Sequence, residues 1–382
     1  MTRFKKNILF IHRWLGFISG LVVFIVSITG CLFVFQDEIQ DAIHSYRKIE
    51  VQQKPYVQPS ELKRLALQHY PKGNPAFIAY YGPDRPAVVM TIVPKLGTRY
   101  IYLNPYTGKF LHDEDITKNF FIVVEYIHLY LLLPDKIGRL VVGISVIVFV
   151  ILLISGLVLW WPKRKSDRKR SFNIKWNGRW RRVNYDLHNV LGFYACSIAL
   201  ILALSGLSIA FDWMRNGIYS ASNLCQKYPL EKLVVKSDTL HKNIETKIPA
   251  DDMAFTYTHQ HSPLAQMFFI SEGDKKGSGT TTVTPYYTSM HYYRSDSYTF
   301  DQYSGKLLKT ELQQHKSPGR KMNDANYDIH VGQIIGLPGK IIAFIVSLIC
   351  ASLPVTGFIV WFGKRKKKKR NPNIRHHKLS VA

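Results

Sequence analysis

The chain has 382 residues, 47% of them hydrophobic, and carries 51 lysines and arginines against 26 aspartates and glutamates, a formal net charge of +25. So basic a chain can suggest nucleic acid, but the cations crowd beside long apolar segments, where membrane lipid and topology explain them, and nucleic acid is set aside as a partner. Four cysteines without a C-x-x-C spacing exclude a paired-thiol redox motif.

In chain order, residues 1–13 form a basic N-terminus (Arg3, Lys5, Lys6, Arg13), and residues 14–35 the first apolar segment. A large region, 38–137, precedes the second segment at 140–161, and a short basic loop at 162–187 leads to the third at 189–211. A second large region, 213–338, then precedes the fourth segment at 341–362 and a basic tail at 363–382. Each apolar segment is about 22 residues long and suits a hydrocarbon core of about 30 Å at 1.5 Å per helical residue. Four spans place all three basic stretches on one side, which the positive-inside rule makes cytoplasmic, with both termini inside and both large regions outside. Ile28-Thr29-Gly30-Cys31 resembles a lipoprotein cleavage site, but Leu32-Phe33-Val34-Phe35 continues the apolar run, so the first helix is expected to be kept.

Within the first outer region the pattern predicts a helix over Pro59–His69, strands over 87–93 and 98–103, and a turn at Asn104-Pro105-Tyr106-Thr107-Gly108-Lys109. The second region offers strands at 267–270 and 298–300, a turn at Asp301-Gln302-Tyr303-Ser304-Gly305-Lys306, and a polar tip at 274–279. Pro134 and Pro338 separate short helices before the second and fourth spans from the spans themselves. His259-Gln260-His261 and His291 invite a metal reading. H-x-H is common in strands, and no cysteine or close carboxylate completes a ligand set, so these read as solvated surface.

Internal repetition gives the architecture. His12 and His188 each open a span as H-x-x-x-G-F, and each stands 18 residues before a glycine, Gly30 or Gly206. His128 and His330 precede spans whose glycines, Gly156 and Gly357, lie 28 and 27 residues on, and which close on Trp160-Trp161-Pro162-Lys163-Arg164 and Trp361-Phe362-Gly363-Lys364-Arg365. Each of the four glycines follows a small hydroxyl residue: Thr29, Ser155, Ser205 and Thr356. The unit is span, outer region, span. It crosses twice, so two copies enter with one orientation and are related by an axis along the membrane normal. That symmetry puts His12 and His188 at one depth near the cytoplasm, and His128 and His330 at one depth outside.

Ionisable side chains near a bilayer are costly and usually have a task, and imidazole is a common axial ligand of haem iron. His12, His188, His128 and His330 are therefore the candidate ligands of two haems, non-covalent and b-type for want of a C-x-x-C-H. The glycines Gly30, Gly156, Gly206 and Gly357 either admit a flat macrocycle close to the backbone or pack helices together. Arg13, Arg139 and Lys340 are candidates for propionate contacts, with snorkelling at the interface as the other reading. Trp14, Trp160, Trp161 and Trp361 read as interfacial belt residues, and Lys364–Arg370 as a lipid-attracted anchor.

The paired H-x-x-x-G-F openings, the D/N-x-x-[TS]-G-K turn of each outer region and the W-x-x-K-R exits resemble the PepSY-associated transmembrane proteins. That family includes iron-regulated inner-membrane proteins and ferric-siderophore reductases. The resemblance covers residues 8–366 and implies an α-helical membrane protein: a four-helix bundle from a duplicated two-helix unit, with two α+β PepSY-like periplasmic lobes and two b-type haems, in the bacterial inner membrane. The expected activity is electron transfer across the membrane to a ferric siderophore or other Fe(III) chelate, releasing Fe(II). No G-x-G-x-x-G follows a strand and no inner domain is large enough for flavin or nicotinamide, so a quinol or a cytoplasmic reductase is the expected donor. The alternative is a non-enzymatic protein whose lobes bind or regulate a periplasmic peptidase. A siderophore permease is disfavoured by four unbroken spans without midplane charges.

Overall fold

The computed structural model describes residues 2–162, 164–241, 247–273 and 277–369. Lys163 of the basic loop, residues 274–276 of the polar tip and the tail from Arg370 onward lie outside the described residues. In chain order the longer helices are α1 (Arg3–Val34), α2 (Gln36–Ile43), α3 (Pro59–His69), α4 (Phe120–Tyr130) and α5 (Asp135–Trp160). They are followed by α6 (Trp180–Ala210), α7 (Asp212–Ser222), α8 (Ala250–His261), α9 (Pro318–His330) and α10 (Leu337–Lys369). Two compact units result, a helical one from residues 1–31, 126–210 and 341–382, and a sheet one from residues 32–125 and 211–340.

In the helical unit α1, α5, α6 and the stretch Leu337–Gly363 of α10 are long and apolar enough to cross a membrane. The repeated motifs decide how they pack. His12 on α1 bonds Ser155 on α5 at 2.8 Å, and His188 on α6 bonds Thr356 on α10 at 3.0 Å. The phenylalanines of the two openings then join the pairs. Phe193 stacks on Trp160 at 3.8 Å between centroids, and Phe17 meets Trp361 edge-on at 4.9 Å. These four contacts close a ring in the order α1, α5, α6, α10. Small residues on α6, Ala195, Ala199 and Ala203, are buried and let the helices approach. Trp160 is thus a packing residue rather than a belt residue: it is buried, and its indole N–H donates to the Ser171 carbonyl at 3.0 Å. Trp14 and Trp161 are exposed, as a belt requires.

The strands are β1 (Asn74–Tyr80), β2 (Ala87–Val93), β3 (Gly97–Leu103), β4 (Phe110–Asp115), β5 (Met267–Glu272), β6 (Thr280–Thr288), β7 (His291–Ser295), β8 (Ser297–Asp301) and β9 (Leu307–Glu311). All pair antiparallel in one sheet, in the order β4-β3-β2-β1-β5-β6-β8-β9, with β7 on β6. The expected pair of separate lobes is therefore one sheet. β1 and β5 are apolar strands that would each leave an open edge, and pairing Ile78 with Ile270 satisfies both. One core serves the whole unit. Leu62 and Ala66 of α3 and Ala254 and Phe255 of α8 pack with Ile78, Tyr80, Val89, Ile101, Phe268 and Phe300 of the sheet. The helices are also tied to each other: Asp252 accepts from the Ser60 amide at 2.9 Å and the Ser60 hydroxyl at 2.6 Å, capping α3 from α8.

Both predicted turns form, and in the same way. The Asn104 side chain accepts from the amides of Tyr106 and Thr107, and Asp301 accepts from those of Tyr303 and Ser304. Gly108 and Gly305 take φ of +70° and +69°, a left-handed conformation that favours glycine. His259 and His261 lie at the end of α8, a helix, not in a strand.

Candidate functional site

Three of the four repeated histidines are held alike in the helical unit. His12 Nδ1 meets Ser155, His188 Nδ1 meets Thr356, and His128 Nδ1 lies 3.1 Å from the Thr29 hydroxyl and 2.9 Å from the Val26 carbonyl. Hydroxyl protons are already committed: Ser155 donates to the Leu152 carbonyl at 3.2 Å, Thr356 to that of Ser352 at 2.9 Å, and Thr29 to that of Ile25 at 2.8 Å. With the hydroxyl protons on those carbonyls each imidazole donates from Nδ1, and for His128 the Val26 carbonyl, a pure acceptor, demands it. Nε2 is left with its lone pair, the form in which histidine binds a metal.

The glycine after each hydroxyl makes room for the ring. A Cβ on Gly156 would stand 3.4 Å from His12 Cε1, one on Gly30 3.4 Å from His128 Cε1, and one on Gly357 3.0 Å from His188 Cε1. These glycines therefore face an imidazole. The fourth, Gly206, lies in α6 one residue after Ser205, which bonds the Leu202 carbonyl at 3.0 Å. The glycines of the openings have partners of their own, Gly16 against Leu152 and Gly192 against Leu353. An H-x-x-x-G face thus docks on an L-x-x-[ST]-G face twice. Sequence reasoning recorded the hydroxyls without giving them a task and missed the leucines; the second signature, L-x-x-[ST]-G, was there to be read.

His12 and His188 are half-buried. His188 sits within a π-helical turn, Leu187–Leu191, whereas His12 lies in regular α-helix. Single π turns recur at functional positions. Beside the pair, Arg13 lies near the Phe10 and Trp14 rings, and its buried Nε has no partner among the described residues. Asn184, one turn before His188, donates to the Thr356 carbonyl at 3.0 Å, while its buried Oδ1 is unmet among the described residues. The other two basic candidates are engaged: Arg139 with Asp135 at 3.0 Å, and Lys340 with Glu38 at 2.8 Å. His128 ends near the close of α4, and His330 is the last residue of α9 in the sheet unit.

A bundle of four membrane-crossing helices, sequentially interrupted by the strands of one antiparallel sheet, defines a multi-pass membrane protein. The model of the PepSY-associated TM region family matches residues 9–364, and the chain belongs to that family. No curated protein matches it.

Proposed function

We propose that the protein is a b-type di-haem reductase of the bacterial inner membrane, carrying electrons to a ferric siderophore on the periplasmic side and releasing Fe(II). One observation carries the reading: His12 and His188 are each pinned at Nδ1 by a hydroxyl of the neighbouring helix, so that Nε2 is free to ligate. A hydrogen bond at the far nitrogen fixes tautomer and ring direction and raises ligand basicity, as second-shell partners of metal-bound histidine do. Haem bound between them would supply a one-electron centre at its iron. The residues present fit it, since the donor set is two neutral imidazoles and the orphaned Arg13 Nε suits a propionate. His128 has the same form, and its pairing with His330 rests on the repeat in the sequence.

The protein's own contribution is position: Ser155 and Thr356 hold the Nδ1 protons. The matched histidine, hydroxyl and leucine contacts support descent of both halves from one doubled unit, and the basic inner stretches support cytoplasmic termini. The donor is a quinol or a cytoplasmic reductase. A reduced-minus-oxidised absorbance spectrum with haem quantified per chain tests the reading. Two b-type haems per chain are expected, and a folded, pigment-free protein made with ample haem would return the function to a non-enzymatic partner of a periplasmic peptidase.

A further inference from the structure

The two hairpins around the matched turns are built in the same register and filled differently. Ile101 pairs with Asp113 as Tyr298 pairs with Thr310, and each hairpin carries its irregularity at the same step before the turn. Counting outward from the turns, Arg99, Asp113 and Asp115 therefore correspond to Asp296, Thr310 and Leu312.

In the first hairpin that position is shut. Arg99 grips Asp113 through Nε at 3.1 Å and Nη2 at 2.6 Å, reaches Asp115 at 3.5 Å, and Tyr70 donates to Asp113 at 2.5 Å. In the second hairpin the arginine is replaced by an aspartate and both of its carboxylate partners are gone. A cavity of about 790 Å³ stands there instead, lined by Asp296, Tyr298, Thr310 and Leu312. That volume lies in the range of small-molecule sites, roughly 300–1,000 Å³.

The lining states what would fit. Asp296 is buried and satisfied, taking the Tyr287 hydroxyl and the Gln313 amide, so it does not call for a cation. Two exposed cations, Arg294 and Lys321, stand at the wall. Aromatic surface comes from Tyr257, which stacks flat on His261 at 3.8 Å, and from Tyr298. Gln313 presents a buried Oε1 without a hydrogen-bond partner among the described residues, an acceptor for an N–H or O–H. Lys321 and His330 belong to the same helix, α9, and nine residues separate them, about 13.5 Å along its axis.

We propose that this cavity binds an anionic, aromatic Fe(III) chelate of the catecholate class, with Arg294 and Lys321 meeting its charge, the tyrosine rings its catechols and Gln313 an amide N–H. As the substrate's docking place, the site rests on the reductase reading; as a binding site it stands alone. Aromatic faces beside cations also suit such a ligand, because both act on its electron-rich rings.

The test uses the full-length protein in detergent and a redox-inert probe, a gallium(III) tris-catecholate, with a neutral gallium(III) tris-hydroxamate beside it, bound gallium being measured by equilibrium dialysis. One tris-catecholate per chain is expected, at least tenfold tighter than the tris-hydroxamate. R294E/K321E should weaken it tenfold or more, and Thr310→Arg, which sets a guanidinium beside Asp296 as in the first hairpin, should abolish it. Thr310, Arg294 and Lys321 are exposed, and an unchanged melting temperature of the variants verifies their folding. Equal binding of both probes, or binding untouched by either variant, would overturn the site. With the iron chelate, the charge variant should raise KM and leave kcat; an unchanged KM would overturn the docking role. A pigment-free protein that still takes up the gallium chelate would keep the site and end the reductase reading, whereas a haem-loaded protein that does not bind it would do the reverse.

Discussion

The helical unit and the sheet unit treat the chain's internal repetition in opposite ways. Between the spans, contacts recur side chain for side chain: imidazole on hydroxyl, glycine on leucine, phenylalanine on tryptophan. Within the sheet the backbone recurs, with equal turns and equal register, while an ion-paired arginine in one hairpin gives way to an open cavity in the other. On the proposed reading, side chains that present two nitrogens to one flat group cannot drift apart in type. A hairpin is satisfied by its hydrogen bonds and its turn, so its outward residues are free to specialise.

The sharpest way to break the comparison is to remove an imidazole. His188→Ala should cost one of two haems per chain, halving the pigment measured as pyridine haemochrome, and His12→Ala should do the same despite sitting on a different helix. Unequal losses would mean that the matched contacts are not a matched site. Next in size, Thr356→Val deletes the side-chain acceptor of the His188 Nδ1 proton; haem affinity should fall about 10–100-fold, read by competition with apomyoglobin. Ser155→Ala should follow at His12.

Glycine replacements separate the two inner contacts. Gly357→Ala places a Cβ 3.0 Å from the ring, against 3.4 Å at Gly156. Overpacking of that kind costs about 1–3 kcal/mol, so the melting temperature in detergent should drop more for Gly357→Ala than for Gly156→Ala. In the sheet, Gly108→Ala and Gly305→Ala should cost about 1–2 kcal/mol each, from the left-handed backbone and from the Cβ driven into Leu65 or Met253. Similar losses would verify that the turns kept their equivalence when the side chains around them did not.

The smallest effect is electrostatic. Burial works to raise the Asp41 carboxyl, but hydrogen bonds and charge from Arg85 and Arg47 outweigh it and hold the group below its ordinary value. A depressed carboxyl contributes stability that is present above its unfolded pKa, about 3.9, and is lost as pH falls through the folded one. Asp41→Asn should therefore cost about 1 kcal/mol or less near pH 7, with the gap to the parent closing below pH 4 in thermal melts.

Much of this was open to reading in advance. The long apolar helices, the Pro59–His69 helix and the two glycine turns follow from local rules of length, capping and φ. The four histidines follow from spacing. What stayed hidden was relational. β1, β4, β6, β7 and β9 were not among the strands that local pattern offered, and the join of β1 to β5 depends on two edges meeting, which neither edge announces. Trp160 looked like a belt residue because tryptophan near a span end usually is; its burial comes from Phe193, thirty-three positions away. The π turn at His188 likewise leaves no mark in composition.

Closure of the helix ring by Phe17 against Trp361 has a consequence for biosynthesis. These residues stand 344 positions apart, so α1 has no clasp on that flank until α10 has been made. A product truncated before α10 would leave the membrane holding α1, α5 and α6 as an open row of staves rather than a closed ring.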